Sequence, residues 1–227
     1  RISPATLIAF GAPAVGAGYM YLLLALYVMK FSTDVLLIAP AVMGLIFSVS
    51  RIWDAISDPL VGYLSDRTGL SLGRRRTWIL VSLVPIAIGF YAVFAPPQGL
   101  SVDALSWWMA AAVIGFYSAM TLFFVPHMAL GAELSNDYHE RSRLFGLRHA
   151  FYTFGSILSL ATMQLLINEE FSDGGDVRSM AEQYALYAVV AMSLLVLYAV
   201  VNLRERPEFQ GRLDSSPVSA FRDVWQN

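Results

Sequence analysis

Six apolar runs, each long enough to cross a lipid bilayer, constrain this chain more than anything else in it. A spanning helix needs about 20 predominantly apolar residues. Runs of that kind lie at Ala5 to Met29, Ile38 to Leu64, Trp78 to Ala95, Ala104 to Leu130, Leu144 to Ile167 and Ala181 to Leu203. Polar or turn-rich stretches such as "KFSTD", "SDRTGLSLGRRR" and "APPQGLSVD" separate them, with glycine and proline punctuating most of the breaks. Only 14% of the residues are charged, where a soluble domain carries about 25%. The expected fold is an all-α membrane protein of six transmembrane helices over residues 1–203.

Orientation follows from the basic residues. Arg67, Arg74, Arg75 and Arg76 share one loop, Arg141 and Arg143 another, and Arg204, Arg206, Arg212 and Arg222 the tail, with Arg1 ahead of the first run. The other side has only Lys30 and Arg178. The basic side faces the cytoplasm, so both ends are expected there. The absence of cysteine removes disulfides, thiolate metal sites and cysteine nucleophiles. No stretch suggests nucleic-acid binding, and no cofactor is implied. The first run is too long for a cleaved signal peptide and lacks its cleavage site. Starting at Arg1 and stopping at "FRDVWQN", the chain reads as a fragment, with residues 204–227 a cytoplasmic linker toward a further half.

Inside the second run, "RIWDAISDPLVG" (51–62) places Arg51, Asp54 and Asp58 at spacings of three and four, on one helical face. An aspartate at the bilayer centre costs about 2.5–3.5 kcal/mol, so such residues are retained for a task. Arg51 neutralises one carboxylate and pairs helices, leaving one formal negative charge. Pro59 removes a backbone N–H, so a carbonyl one turn earlier loses its donor. Carboxylate and carbonyl oxygens together suit a small hard cation such as Na⁺. Two close acids in an apolar setting also suit a proton, and a plain structural ion pair is the third reading.

These residues carry a family likeness. "RIWDAISDPLVG" resembles the second-helix signature of the glycoside–pentoside–hexuronide:cation symporters, a branch of the major facilitator superfamily. "GYLSDRTGLSLGRRR" is similar to the superfamily's loop after helix two, through Gly62, Asp66, Arg67, Gly69, Gly73, Arg74 and Arg75. "FFVPHMALGAELSNDYHERSRLFGLRH" resembles the family's fourth helix, cytoplasmic loop and fifth-helix start, and "FSTDV" also fits. The resemblance implies the N-terminal half of a twelve-helix, cation-coupled secondary transporter of sugars or glycosides, working by alternating access with a C-terminal six-helix half. It implies a cation site of Asp54, Asp58 and Thr121. It also implies a cytoplasmic latch in the arginine loop, with Asp137, Glu140 and Arg141 as further gate charges. Without the resemblance, a lone mid-helix threonine reads as bonded to its own backbone.

The implied sugar site departs from the family. Phe124 and Met128 stand where the family has an aspartate and a tryptophan, the first helix has no acid, and the fifth-helix arginine survives as Arg148, with His149 as the other register. A solute would meet Arg148, Phe124, Met128, His127, Tyr152 and Tyr19. Sodium-dependent lysophospholipid carriers share the fold and a similar signature, so an amphipathic solute is the alternative.

Other features read two ways. Gly11, Gly16 and Gly18 in the first run mark either a broken, cavity-lining segment or close helix contact. His127 is either a relay or a satisfied interface group. Glu169, Glu170, Asp173 and Asp176 lack the ligand spacing of a calcium loop. From another class, a six-helix scaffold, receptor or intramembrane enzyme is the rival, although an intramembrane aspartyl pair usually draws its acids from different helices.

Overall fold

The computed structural model describes residues 2–68, 70, 72–172, 175–206 and 208, and all the regular structure among them is helical. Helix α1 spans Pro4–Lys30 and runs on into a π-helical turn, Phe31–Val35. It is followed by α2 (Pro40–Asp66), α3 (Arg74–Val81), α4 (Leu83–Phe94), α5 (Val102–Glu133), α6 (Tyr138–Glu170) and α7 (Val177–Asn202). Together α3 and α4 make one span, jogged at Ser82, so the six expected crossings are present. Five are apolar enough to cross a membrane by length and composition; α2 is as long as α1 but falls short because of its charged patch.

Local signals start these helices. Ser3, Ser101, Asp137 and Asp176 each accept a hydrogen bond from the backbone N–H three residues on, capping α1, α5, α6 and α7. Proline opens α1 and α2, where its missing N–H costs nothing. Helix α3 is capped from a distance. The Glu205 carboxylate accepts from the N–H groups of Arg74, Arg75 and Arg76 at 2.9, 2.7 and 2.8 Å. Gly73, just before, has φ +116°, a conformation that suits glycine, and any Cβ there would run into the Glu205 carboxylate.

Helix α1 runs through the bundle centre and packs most extensively on α6, then on α7. Its glycines mark close approach. A Cβ on Gly18 would strike the Tyr152 carbonyl, and one on Gly155 of α6 would strike the Val15 carbonyl. Backbone therefore meets backbone, as small residues permit between membrane helices, and the broken-segment reading of α1 is set aside. Helix α2 packs chiefly on α5, and α4 packs on α5 and α7. Between them lies an aromatic seam of Phe90, Phe94, Phe116 and Tyr117, all buried.

The two ends of the bundle differ in charge. At one end Ile2 donates its N–H to Glu140, and Glu205 meets α3. At the other, Lys30 pairs with Asp34 and Glu170, and Arg178 donates to the Pro96 carbonyl. Chain start, arginine motif and end of α7 thus share one end.

The arginine motif is not a solvated loop. Arg74 and Arg75 belong to α3 and are buried, at 7% and 6% exposure. Arg74 donates to Glu133 of α5 at 2.7 Å, Arg75 to Ser65 at 2.7 Å and to Glu133 at 3.3 Å, and Arg75 pairs with Asp66. The side chain of Arg76 reaches the Val200 carbonyl of α7. Buried charges require partners, and these arginines find theirs in Asp66 and Glu133. Arg67 lies over the Tyr63 ring at 4.2 Å. Asp137 caps α6, Glu140 pairs with Arg143 at 3.8 Å and accepts from Ile2, and Arg141 is exposed. Gly69, Asp173 and most of the 204–227 segment lie outside the described residues.

Candidate functional site

The helical spacing of Arg51, Asp54 and Asp58 brings all three onto a cavity of about 400 Å³. The other walls come from Tyr21 of α1, from Thr121, Phe124 and Val125 of α5, and from Arg148, His149 and Tyr152 of α6. Four helices contribute, and helix faces at i, i+3, i+4 and i+7 explain why these residues coincide.

Within the cavity the charges divide unevenly. Arg51 donates to Asp54 at 3.1 Å and to the Tyr117 hydroxyl at 2.6 Å, with its guanidinium 4.3 Å from the Tyr117 ring centre. It therefore ties α2 to α5 as well as answering one acid. Asp58 has no cationic partner among the described residues. Its oxygen accepts from the Thr121 hydroxyl at 2.9 Å. Ser48, Ser50, Ser106 and Ser118 bond back to carbonyls of their own helices, the usual fate of a helix hydroxyl. Thr121 instead spends its hydrogen bond across the helix interface. The second oxygen of Asp54, Oδ1, is buried with no hydrogen-bond partner.

Two carboxylates and a hydroxyl, one oxygen orphaned, form a donor set for a small oxygen-seeking cation. Among the described residues no group of three or more His, Cys, Asp or Glu could hold a metal.

Not every expected solute residue reaches the cavity. Phe124, Arg148 and Tyr152 line it. His127 does not. It is completely buried, stacked on Phe10 at 4.4 Å and Phe123 at 4.9 Å, and its Nε2 is 3.0 Å from the Phe10 carbonyl. It occupies an α1–α5 interface, the plainer of its two readings. The Tyr19 hydroxyl bonds Thr162 at 3.0 Å and joins α1 to α6. Met128 is exposed and off the cavity lining. Tyr21, two positions from Tyr19, lines the cavity, and His149 lines it together with Arg148. Glu133 and Glu205, which anchor the arginine motif, were not singled out by the sequence; an acid near a helix end looks like any other solvated charge until its partner is known.

A charged cavity lined by membrane-spanning helices, with a carboxylate pair on one wall, fits a solute carrier. The chain belongs to the MFS/sugar transport protein family, whose profile matches residues 9–225. Curated relatives include an inner membrane symporter of Escherichia coli, 33% identical over 89% of this chain and 43% of its own length. A sodium-dependent lysophosphatidylcholine symporter of Danio rerio is 30% identical over 61% of this chain and 26% of its own. An isoprimeverose transporter of Lactiplantibacillus pentosus is 28% identical over 86% of this chain and 41% of its own. The chain spans less than half the length of the curated relatives it matches. Membership in a transporter family sets aside the intramembrane enzyme.

Proposed function

We propose that this chain is the N-terminal half of a cation-coupled symporter that moves a sugar or glycoside across a bacterial inner membrane by alternating access. Asp54, Asp58 and Thr121 hold the coupling ion, Na⁺ or H⁺. Tyr21, Phe124, Arg148 and Tyr152 face the solute. Residues 204–227 lead to a second six-helix half, which completes the cavity, and both ends of this half lie in the cytoplasm.

The observation that carries the reading is the pairing of Thr121 with Asp58 across helices, beside the orphaned oxygen of Asp54. A carboxylate inside a membrane is costly, and a bound cation removes that cost in one conformational state more than in another. A shift between states is limited to that difference in affinity. The isoprimeverose transporter and the E. coli symporter support the sugar and symport parts. A second reading, an amphipathic lysolipid solute, has support in the apolar wall of Phe124 and Val125 and in the lysophosphatidylcholine relative.

Full-length transporter in proteoliposomes tests this. Uptake driven by a Na⁺ or a proton gradient identifies the ion, and Asp58→Asn abolishes the coupled part. Thr121→Val, which removes one oxygen ligand, weakens apparent ion affinity by about tenfold, in the range of one charge-assisted hydrogen bond. Coupled uptake that survives Asp58→Asn refutes the assignment.

A further inference from the structure

A second cavity, of about 350 Å³, lies between α4 and α5. Missing side chains make it: Gly89 and Ala92 of α4 face Ala111 and Gly115 of α5, with Trp108 at one end. A Cβ on Gly115 would meet nothing within 4 Å, so that wall is open. One on Gly89 would strike the Phe116 backbone at 2.8 Å, so the floor is closed where the two main chains meet. The Trp108 indole is held in place by its bond to the Ala92 carbonyl at 2.8 Å. Among the described residues no charged side chain lines the slot. Ile88, on its rim, is 65% exposed and Val84, one turn away, 64%. The slot therefore opens on the apolar outer surface of two membrane spans.

We infer that this slot holds one acyl chain of a membrane lipid, drawn from the leaflet away from the arginine motif and bound as a fixed part of this half. Its volume falls within the range of about 300–1,000 Å³ of small-ligand sites. Depth and direction single out a chain. Helix α5 runs Val102–Glu133 and meets the arginine motif at its Glu133 end, so Trp108 lies toward the opposite face of the membrane. Centred on α5, a hydrocarbon core of about 30 Å takes in roughly residues 108–127. Trp108 then stands at the edge of that core, where indoles concentrate, and Gly115 lies about 10 Å deeper. The slot thus follows the helix axis through one leaflet, which is the course of an acyl chain.

An unfilled slot forfeits the dispersion contacts of its lining. Lipid tails are as apolar as the side chains that would replace them, so no hydrophobic force favours a protein helix here. A bare methylene chain reaches the floor between Gly89 and Gly115, while Ile88 projects beside the slot and holds a helix backbone off. Bound there, the chain packs α4 on α5 behind Phe116 of the aromatic seam. This lipid is not the solute. Ala112 of the slot and Thr121 of the charged cavity are about two and a half turns apart on α5, so the two sites open on opposite sides of that helix.

The test uses full-length transporter keeping Trp108 as its one tryptophan, and a twin keeping Trp107. Both are reconstituted in phosphatidylcholine vesicles whose acyl chains are brominated in their upper half, since bromine quenches an indole that it touches. Trp107 is 79% exposed and is quenched by any surrounding lipid, which makes it the reference. Trp108 should lose most of its emission as well. It should keep most of it in Gly115→Leu and in Ala111→Leu, which fill the slot with a side chain, while Trp107 stays quenched in both. Either variant that elutes from detergent sizing as the parent does is enough. Trp108 quenching unchanged by these substitutions shows surrounding lipid only and overturns the inference. So does an unquenched Trp108 beside a quenched Trp107, which shows the slot closed by protein. Quenching of Trp108 that grows as the protein is diluted in lipid assigns the slot to a second copy of the transporter and overturns it too.

Discussion

Replacing Glu133 with alanine probes the most heavily charged buried cluster in this half. The Glu133 side chain is 13% exposed and its Oε1 accepts from Arg74 at 2.7 Å and from Arg75 at 3.3 Å. With Asp66 it balances two buried guanidinium groups. Removing one partner of a buried ion pair costs about 3–5 kcal/mol, because a desolvated charge is left behind. Asp66 remains, is 29% exposed, and lets water reach the cluster, which places Glu133→Ala near the lower figure, about 3 kcal/mol. At about 1.4 kcal/mol per factor of ten, that is roughly a 100-fold rise in the unfolded-to-folded ratio. Glu133→Gln should cost less, since its amide oxygen can still accept from both arginines. Asp34→Ala serves as the control. It removes an exposed i,i+4 partner of Lys30, which keeps Glu170, and such pairs are worth about 0.3–0.5 kcal/mol. Denaturant titration of the detergent-solubilised full-length protein measures all three variants. If Glu133→Ala shifts the midpoint no more than Asp34→Ala, the buried-network account of the arginine motif is wrong.

Two further outcomes follow from the packing. His127→Phe keeps the stack with Phe10 and Phe123 and loses only the bond to the Phe10 carbonyl; cation-dependent uptake should persist, and its loss would return His127 to the transport path. Gly155→Val forces α1 and α6 apart where their backbones touch. Overpacking of that kind costs about 1–3 kcal/mol, visible as a lower thermal midpoint, whereas the same change at Gly146, with open space around it, meets no neighbour and slightly favours the helix, so the midpoint should not fall.

The spans were legible because their signal is bulk apolarity over about 20 or more residues, which local detail hardly disturbs. Their edges were not. Helix α6 starts at Tyr138 rather than Leu144 because Asp137 caps it, and a polar first turn carries no hydropathy signal. The acids of α2 were legible for the opposite reason: Asp54 and Asp58 are expensive where they stand. Thr121 needed a family resemblance, since only the fold reveals that its hydroxyl faces Asp58 rather than its own helix. Burial of the arginine motif was hidden, because Glu133, which pairs with its guanidiniums, and Glu205, which caps its backbone, lie far along the chain. Choosing Tyr21 over Tyr19 turns on two positions of helical rotation, about 200°, finer than any pattern along a membrane helix that is apolar on every side.

The close approach of α1 and α6 has a mechanical consequence. Helices whose main chains touch cannot slide without driving carbonyl oxygens into the facing backbone, so these two move as a single beam carrying Tyr21, Arg148, His149 and Tyr152. The partner beam is α2 with α5, cross-braced by Arg51 to Tyr117, Trp53 to Ser118 and Thr121 to Asp58. Asp54, Asp58 and Thr121 ride on one beam and Arg148 on the other. On the proposed reading, a solute and ion bound together bridge the seam between the two beams.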